Sequence, residues 1–103
     1  MINQNKYLTN GVYVTPNQFN VGDKLRISYD GLLSKSGANH LYAHVGFGNR
    51  WNEVKDIKMN KTTSGFEATL PITKTEPLYV CFKDCANNWD NNSGRNYTFD
   101  ILD

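Results

Sequence analysis

The stretch that decides the fold is LYVCFKDCANNWDNNSGRNYTFDIL, residues 78–102. Its first residues, LYVCFK, alternate between apolar and more polar side chains, and the same alternation returns in YTFDIL at its end. A period of two is typical of β-strands that bury one face. The stretch therefore predicts two strands of a sheet, with residues 85–96 as the loop between them.

The loop combines many asparagines with a single tryptophan. Asparagine side chains form turns, and each offers an amide donor and an acceptor. Trp89 lies among them without an apolar neighbour in sequence. Two interpretations of this ring stay open: it folds back as a plug over the end of the core, or it is a solvent-facing aromatic plate ringed by amides, which suits a sugar-binding site. The five asparagines are Asn87, Asn88, Asn91, Asn92 and Asn96.

Length and charge restrict the class of protein. A chain of 103 residues buries roughly 65% of its unfolded surface, enough for one core and one domain. The formal net charge of +1, with 20% charged residues, lacks the basic excess of a nucleic-acid binder. No run approaches the ~18 apolar residues of a membrane span. We therefore expect no nucleic-acid or membrane partner, and the 13% aromatic content suits neutral, polar, ring-shaped ligands.

Five further strands are predicted before the closing stretch. Pro71 near the end of one of them argues for an edge position or a strand end, and irregular alternation over residues 54–59 predicts a bulge. Residues 32–40 are a loop by composition. Seven short strands separated by turn signals predict an all-β, single-domain, immunoglobulin-like antiparallel β-sandwich. The module is expected over residues 11–103, after a polar lead-in over residues 1–10. The five further strands cover residues 12–14, 24–29, 41–47, 54–59 and 66–72.

The strand LYAHVGF, residues 41–47, carries candidate binding residues. Its apolar set takes one face, which puts Tyr42 and His44 on the other face. Gly46 opens space beside His44. The loop that follows carries Asn49 and the second tryptophan, Trp51, so both tryptophans lie in asparagine-bearing loops.

Catalytic chemistry finds little support in this chain. Cys81 and Cys85 would lie ~13 Å apart in an extended strand, beyond the Cα separation of about 4.4–6.8 Å that a disulfide allows, so we favour free thiols. A Cys-His nucleophile pair stays open, but no nucleophile has a family-type sequence context. The carboxylates are scattered, and we expect no enzyme activity.

Metal or cofactor binding is not expected either. His40 and His44 share a strand face, yet ~13 Å separates them, which is too far for one ion. Residues 90–94 match a calcium loop only in part, because the glycine comes one position early and Ile101 stands where a bidentate glutamate is required. A structural calcium in this loop stays open as an alternative.

Short segments over residues 11–102 carry a family resemblance. In chain order the segments are GD at 22–23, YDGLL at 29–33, LYAHVGF at 41–47, Trp51, Met59, FEA at 66–68, FKD at 82–84 and WDNNxGxNY at 89–97. Together they resemble the family-25 carbohydrate-binding modules, the starch-binding modules attached to bacterial amylases. The segment at 89–97 is specific to the family, whereas the sandwich pattern is shared by very many domains.

The resemblance implies a non-catalytic module that binds starch or maltooligosaccharides through His44, Trp51 and Trp89. It also implies an attached glycoside hydrolase in a longer parent chain and an extracellular location. The start of this chain lacks the apolar core of a signal peptide, which by itself predicts an intracellular protein or an excised part of something larger. Cys81 and Cys85 depart from the family pattern beside the signature loop.

Sugar chemistry fits these side chains. A glucose ring shows C–H groups on its flat face and hydroxyls at its rim, so tryptophan faces would stack on the ring while amides and His44 bond the rim. The structural alternative is an immunoglobulin-like spacer or adhesive domain that binds no sugar. The hydrogen-bonding partners expected at the rim are Tyr42, Asn49, Asn91 and Asn92.

Overall fold

The structure, a computed structural model, describes residues 5–102, which form a sandwich of two antiparallel sheets. This confirms the predicted all-β sandwich. Within the described residues, the strands are β1 (Val12–Thr15), β2 (Lys24–Tyr29), β3 (Leu41–Phe47), β4 (Asn52–Lys58), β5 (Asn60–Thr62), β6 (Gly65–Pro71), β7 (Leu78–Asp84), β8 (Trp89–Asp90) and β9 (Tyr97–Phe99).

The two sheets differ in how their strands are ordered. The first sheet runs β1-β2-β6-β5, and the second runs β4-β3-β7, with both β8 and β9 paired to the free edge of β7. A 3₁₀ helix (Leu8–Asn10) precedes β1, and a single helical turn, α1 (Leu32–Lys35), links the two sheets. Because β1 and β8 are each the last strand of a sheet, both lie at the rim of the sandwich.

All seven predicted strands are present, with small differences in their ends. The sequence missed β5 and β8, because strands of three and two residues are too short to show a period of two. Residues 32–35 were expected as loop and instead form α1, which buries Leu33. The expected bulge occurs at the start of β4, where Glu53 and Val54 lie opposite the single residue Gly46.

Alternate residues of both sheets form one core. Tyr29 of β2 stacks on Phe82 of β7, with ring centroids 4.1 Å apart, and so joins the two sheets. Each fully buried aliphatic or aromatic side chain contributes about 1.5–3 kcal/mol to the free energy of unfolding. The largest fully buried side chains are Tyr29, Tyr97, Phe19, Phe47, Phe82, Phe99, Leu25, Ile27, Leu41, Leu70, Ile72 and Leu78.

A buried carboxylate anchors the rim at β8. Asp90 is only 8% exposed and accepts hydrogen bonds from the hydroxyls of Tyr29 (2.6 Å) and Tyr97 (2.8 Å). Burial, with the neighbouring Asp90 carboxylate, raises the pKa of both phenols above the ordinary value, so they stay protonated and keep donating. The Tyr29 hydroxyl also accepts the N–H of Leu33 at 3.0 Å. This network fixes β8, and with it the neighbouring Trp89, to the core and to α1.

Tyr7, within the predicted lead-in, packs against the second sheet. Its ring meets Tyr97 and Phe99 edge-on, at centroid distances of 5.0 Å and 5.6 Å. Its hydroxyl accepts the backbone N–H of Thr98 at 3.1 Å. Residues 1–4 of the lead-in lie outside the described residues, and the division at residue 10 stays a prediction.

Both cysteines are free thiols, as predicted, with Cys81 buried and Cys85 exposed. The strand geometry of β7 keeps them apart, since Cys81 lies within the strand and Cys85 follows its end. In the part of the chain that the structure describes, no helix has the length and apolar character needed to cross a membrane.

Candidate functional site

The outer face of the second sheet carries a group of aromatic rings. On β3 the residues that point away from the core are Tyr42, His44 and Gly46, opposite Lys83, Cys81 and Tyr79 of β7. This follows from the period of two, because the alternate residues of each strand are buried in the core. The outer face is therefore built from two neighbouring strands in fixed register.

Trp51 lies directly over Gly46. A Cβ atom placed at Gly46 would come within 2.9 Å of both the Cα and the Cε3 of Trp51, so only a glycine leaves room for this ring. The indole also meets Tyr79 at a centroid distance of 5.8 Å. The space predicted beside His44 is thus filled by the tryptophan of the following turn.

Trp89 approaches the same face from the opposite edge. Its strand β8 pairs with β7 so that Trp89 lies opposite Lys83, whose Nζ is 5.3 Å from the centre of the indole. Its side chain is 41% exposed, so the interpretation as a core plug is wrong. The buried neighbour Asp90 points to the core, which turns Trp89 outward.

His44 lies between the two tryptophans. Its ring centre is 5.1 Å from that of Trp51 and 5.4 Å from that of Trp89, with the second pair at 90°. The structure thus brings together the three rings that the sequence singled out. We call His44, Trp51 and Trp89 the aromatic triad.

A hydrogen bond to Asp56 that the sequence did not reveal holds His44 in place. Its Nδ1 lies 2.5 Å from Oδ1 of Asp56, and Oδ2 of Asp56 lies 2.8 Å from Nζ of Lys83. Desolvation alone would raise the pKa of Asp56, but the hydrogen bonds and charges of Lys83 and His44 outweigh it and hold that pKa below the usual carboxyl value. The feature that would have revealed this contact is the register of β3 and β4, which places Asp56 opposite His44.

The remaining predicted residues lie at different distances from the aromatic triad. Tyr42 is half-buried on the same outer face, in register with Lys83. Asn49 is exposed in the turn that leads to Trp51. Asn91 and Asn92 instead follow β8 and line a groove that Trp89 shares but His44 and Trp51 do not.

Asn91 and Asn92 also shape their own loop. The side-chain oxygen of Asn91 accepts the N–H of Gly94 at 3.0 Å, and the amide of Asn92 donates to the carbonyl of Asn96 at 3.0 Å. Asn92 has a left-handed backbone with φ of 56°, a conformation that asparagine adopts more readily than most residues. Part of the asparagine richness of this loop is therefore structural.

Comparison with known families decides the type of module. The sequence model of a family of starch/carbohydrate-binding modules, family 53, matches residues 25–81. The chain belongs to this family. The predicted resemblance is confirmed as a starch-binding module, while the matching family is 53 and not 25. The match includes His44 and Trp51, and Trp89 lies beyond its end.

Two curated relatives carry similar segments. The module is 34% identical over 86 residues to a beta/alpha-amylase of Paenibacillus polymyxa. The matched segment covers 81% of this chain and 7% of that protein. It is 38% identical over 68 residues to a beta-amylase of Niallia circulans. This second segment covers 63% of this chain and 12% of that protein. The module thus spans a small part of each relative. No solved structure matches it significantly.

The chemistry of the face suits binding. Cys81 lies opposite His44 in register, so these two residues are the members of any Cys-His pair on this face. Burial raises the pKa of the Cys81 thiol to about 11, so at neutral pH it stays protonated and unreactive. The module instead offers flat apolar rings beside a histidine nitrogen, in keeping with a family of non-catalytic binding modules.

Proposed function

We propose that the module binds the α-1,4-glucan chains of starch, and their maltooligosaccharide fragments, through the aromatic triad. The observation that carries the proposal is the placement of His44 between Trp51 and Trp89 on one outer face, at 5.1 Å and 5.4 Å. Flat indole faces attract the C–H faces of glucose rings. By analogy with base stacking, each tryptophan contributes roughly 1–3 kcal/mol to binding.

His44 supplies a directed hydrogen bond at the rim of the sugar. Asp56 accepts a hydrogen bond from the Nδ1–H of His44, and in this tautomer Nε2 carries the lone pair that can accept a hydrogen bond from a glucose hydroxyl. Tyr42 and Asn49 add hydroxyl and amide groups near the triad. Two indoles held at separate edges of the face suit the curvature of an α-1,4-linked chain, whereas cellulose would need a coplanar row.

The module serves an attached enzyme by holding it on its substrate. Support comes from the two amylase relatives, in which the matched segment is a minor part of a much longer chain. An attached glycoside hydrolase and an extracellular location follow from this role. The dissociation constant is expected on the order of 10 µM to 1 mM, which is sufficient when several modules act on one granule.

Affinity electrophoresis tests the proposal. The module should be retarded in native gels that contain soluble starch and should migrate freely in gels that contain hydroxyethyl cellulose or xylan. Equal retardation in the cellulose derivative would contradict α-glucan specificity. Free migration in every gel would favour the alternative, a spacer domain that binds no sugar.

A further inference from the structure

An exposed groove lies at the rim of the sandwich, beyond the aromatic triad. Its volume is about 800 Å³, within the range of about 300–1,000 Å³ that is usual for small-ligand clefts. Four of the large apolar side chains that are exposed within residues 5–102 line this one groove: Leu8, Tyr13, Leu32 and Trp89. Leu32 and Leu8 are 63% and 61% exposed. Such a concentration of exposed apolar surface marks a binding region.

The polar lining of the groove is neutral and rich in hydrogen-bonding groups. The single cation Lys35 is balanced by Asp30, and the carboxylate of Asp90 is already bonded to two buried phenols. A groove of this composition does not select a charged ligand, and its mixture of apolar and amide groups matches a neutral polyhydroxylated chain. The uncharged polar side chains that line it are Thr9, Asn10, Ser64, Asn91, Asn92 and Ser93.

The groove continues the outer face across the edge of the sandwich. Trp89 belongs to both, since it meets His44 on the outer face and lines the groove. Beyond it the groove passes α1 with Leu32 and reaches Tyr13 on β1, the last strand of the first sheet. A linear ligand that stacks on the triad and runs past Trp89 would therefore enter this groove.

We propose that the groove is an extension subsite for the same α-glucan chain, so that the module binds long chains better than short ones. This inference rests on the proposed function. Glucose units beyond those held by the triad lie against Tyr13 and Leu32, and their hydroxyls bond the asparagines after β8. A short oligosaccharide fills the triad alone and does not reach the groove.

Titration calorimetry with maltotriose and maltoheptaose tests the subsite. The variants Tyr13→Ser and Leu32→Ser each remove an exposed apolar side chain from the groove, and Val21→Ser removes an exposed apolar side chain outside it. We expect each groove variant to weaken maltoheptaose binding by about threefold to tenfold, or about 0.6–1.4 kcal/mol. Maltotriose binding should stay unchanged, and Val21→Ser should bind both sugars like the wild type.

The outcomes separate the subsite from the proposed function. If both groove variants bind maltoheptaose as tightly as the wild type, the subsite is refuted while binding at the triad stands. An equal loss for both sugars would also refute it, because the groove would then belong to the short-chain site. If the wild type binds neither sugar, the proposed function fails and the subsite with it. Melting curves of both variants confirm that they are folded, since each replaces an exposed side chain.

Discussion

The outer faces of the two sheets are both built from paired antiparallel strands, but they carry different kinds of side chain. On the first sheet the outward rows of β2 and β6 pair lysine with proline, arginine with threonine and serine with glutamate. On the second sheet the corresponding rows of β3 and β7 pair tyrosine with lysine, histidine with cysteine, and a glycine covered by Trp51 with a second tyrosine. Apart from Tyr13, which faces the groove, the rings are confined to one face. The residues of these three pairs on the first sheet are Lys24, Arg26, Ser28, Glu67, Thr69 and Pro71.

This difference shows which positions the fold leaves free. In both sheets the inward residues are apolar and buried, because the sandwich has to fill one core. The outward residues are not needed for the core, and the first sheet fills them with small and charged side chains. A spacer domain would gain nothing from aromatic rings on one outer face. The proposed sugar binding at the aromatic triad accounts for this asymmetry.

Removing a tryptophan should have the largest effect. Trp51→Ala and Trp89→Ala should each weaken maltoheptaose binding by about tenfold or more, because losing roughly 1–3 kcal/mol of stacking corresponds to factors of about 5–150. Arg26→Ala removes a long side chain from the opposite face and should leave binding unchanged. Titration calorimetry and melting curves on the same proteins make the comparison.

The melting curves distinguish a binding role from a structural role. We expect the melting temperature of Trp89→Ala to change little, since the side chain is 41% exposed. A core tryptophan would instead cost ~3–5 kcal/mol on replacement by alanine. Variants at Trp51 and Trp89 that fold normally and bind at wild-type strength would remove the assignment of this face.

Filling the space at Gly46 should have the next largest effect. A methyl group there would lie 2.9 Å from the backbone and the ring of Trp51, so the indole must shift. We expect Gly46→Ala to lower the free energy of unfolding by about 1–3 kcal/mol, as is usual for overpacking, and to weaken maltoheptaose binding. In a Trp51→Ala background the same change should have no further effect on affinity. Additive losses would mean that Gly46 acts independently of Trp51.

Removing the histidine should have a smaller effect than removing either tryptophan. His44→Ala deletes one hydrogen bond, worth about 0.5–1.5 kcal/mol net, and a smaller ring. We expect maltotriose and maltoheptaose to lose the same factor, about twofold to tenfold. His40→Ala is a matched control, since His40 is exposed just before β3 and has no part in the triad. A loss larger than that of Trp51→Ala would make His44 the main binding group.

Alternation was sufficient to predict the principal strands, the outward direction of His44 and the space beside it. The sequence could not show that Asp90 is buried, because an aspartate in an asparagine-rich loop is expected in water. Its position depends on two tyrosines that lie 61 and 7 residues away in the chain. The pairing of His44 with Asp56 depends on a bulge, since a one-residue shift in register would point the carboxylate to the other face.

The groove could not be predicted from the sequence either. Its lining comes from the 3₁₀ helix, β1, α1 and the loop after β8, which are distant in sequence. Leu32 reads as an ordinary apolar loop residue until α1 places it beside Trp89. Asn91 and Asn92 were predicted as ligands of the same site as His44. Their assignment as ligands stays a prediction, now attached to the groove that they line.

The smallest expected effect concerns the Asp56 carboxylate that contacts His44. Asp56→Asn should weaken maltoheptaose binding less than His44→Ala does, because the imidazole remains but its orientation and tautomer are less fixed.

The Asp56 carboxylate also links the stability of the fold to pH. Because the pKa of Asp56 is held below that of the unfolded chain, its stabilisation is present above the ordinary carboxyl pKa of about 4 and is lost as pH falls below it. Wild type should therefore exceed Asp56→Asn in stability at pH 6 and lose that advantage towards pH 3. The difference should be small, since the carboxylate is 38% exposed and solvent screens the pair. Urea unfolding of both proteins at several pH values measures it, with Glu67→Gln on the outer face of the first sheet as the control for general charge effects. A stability difference that grows as the solution becomes more acidic would contradict the lowered pKa.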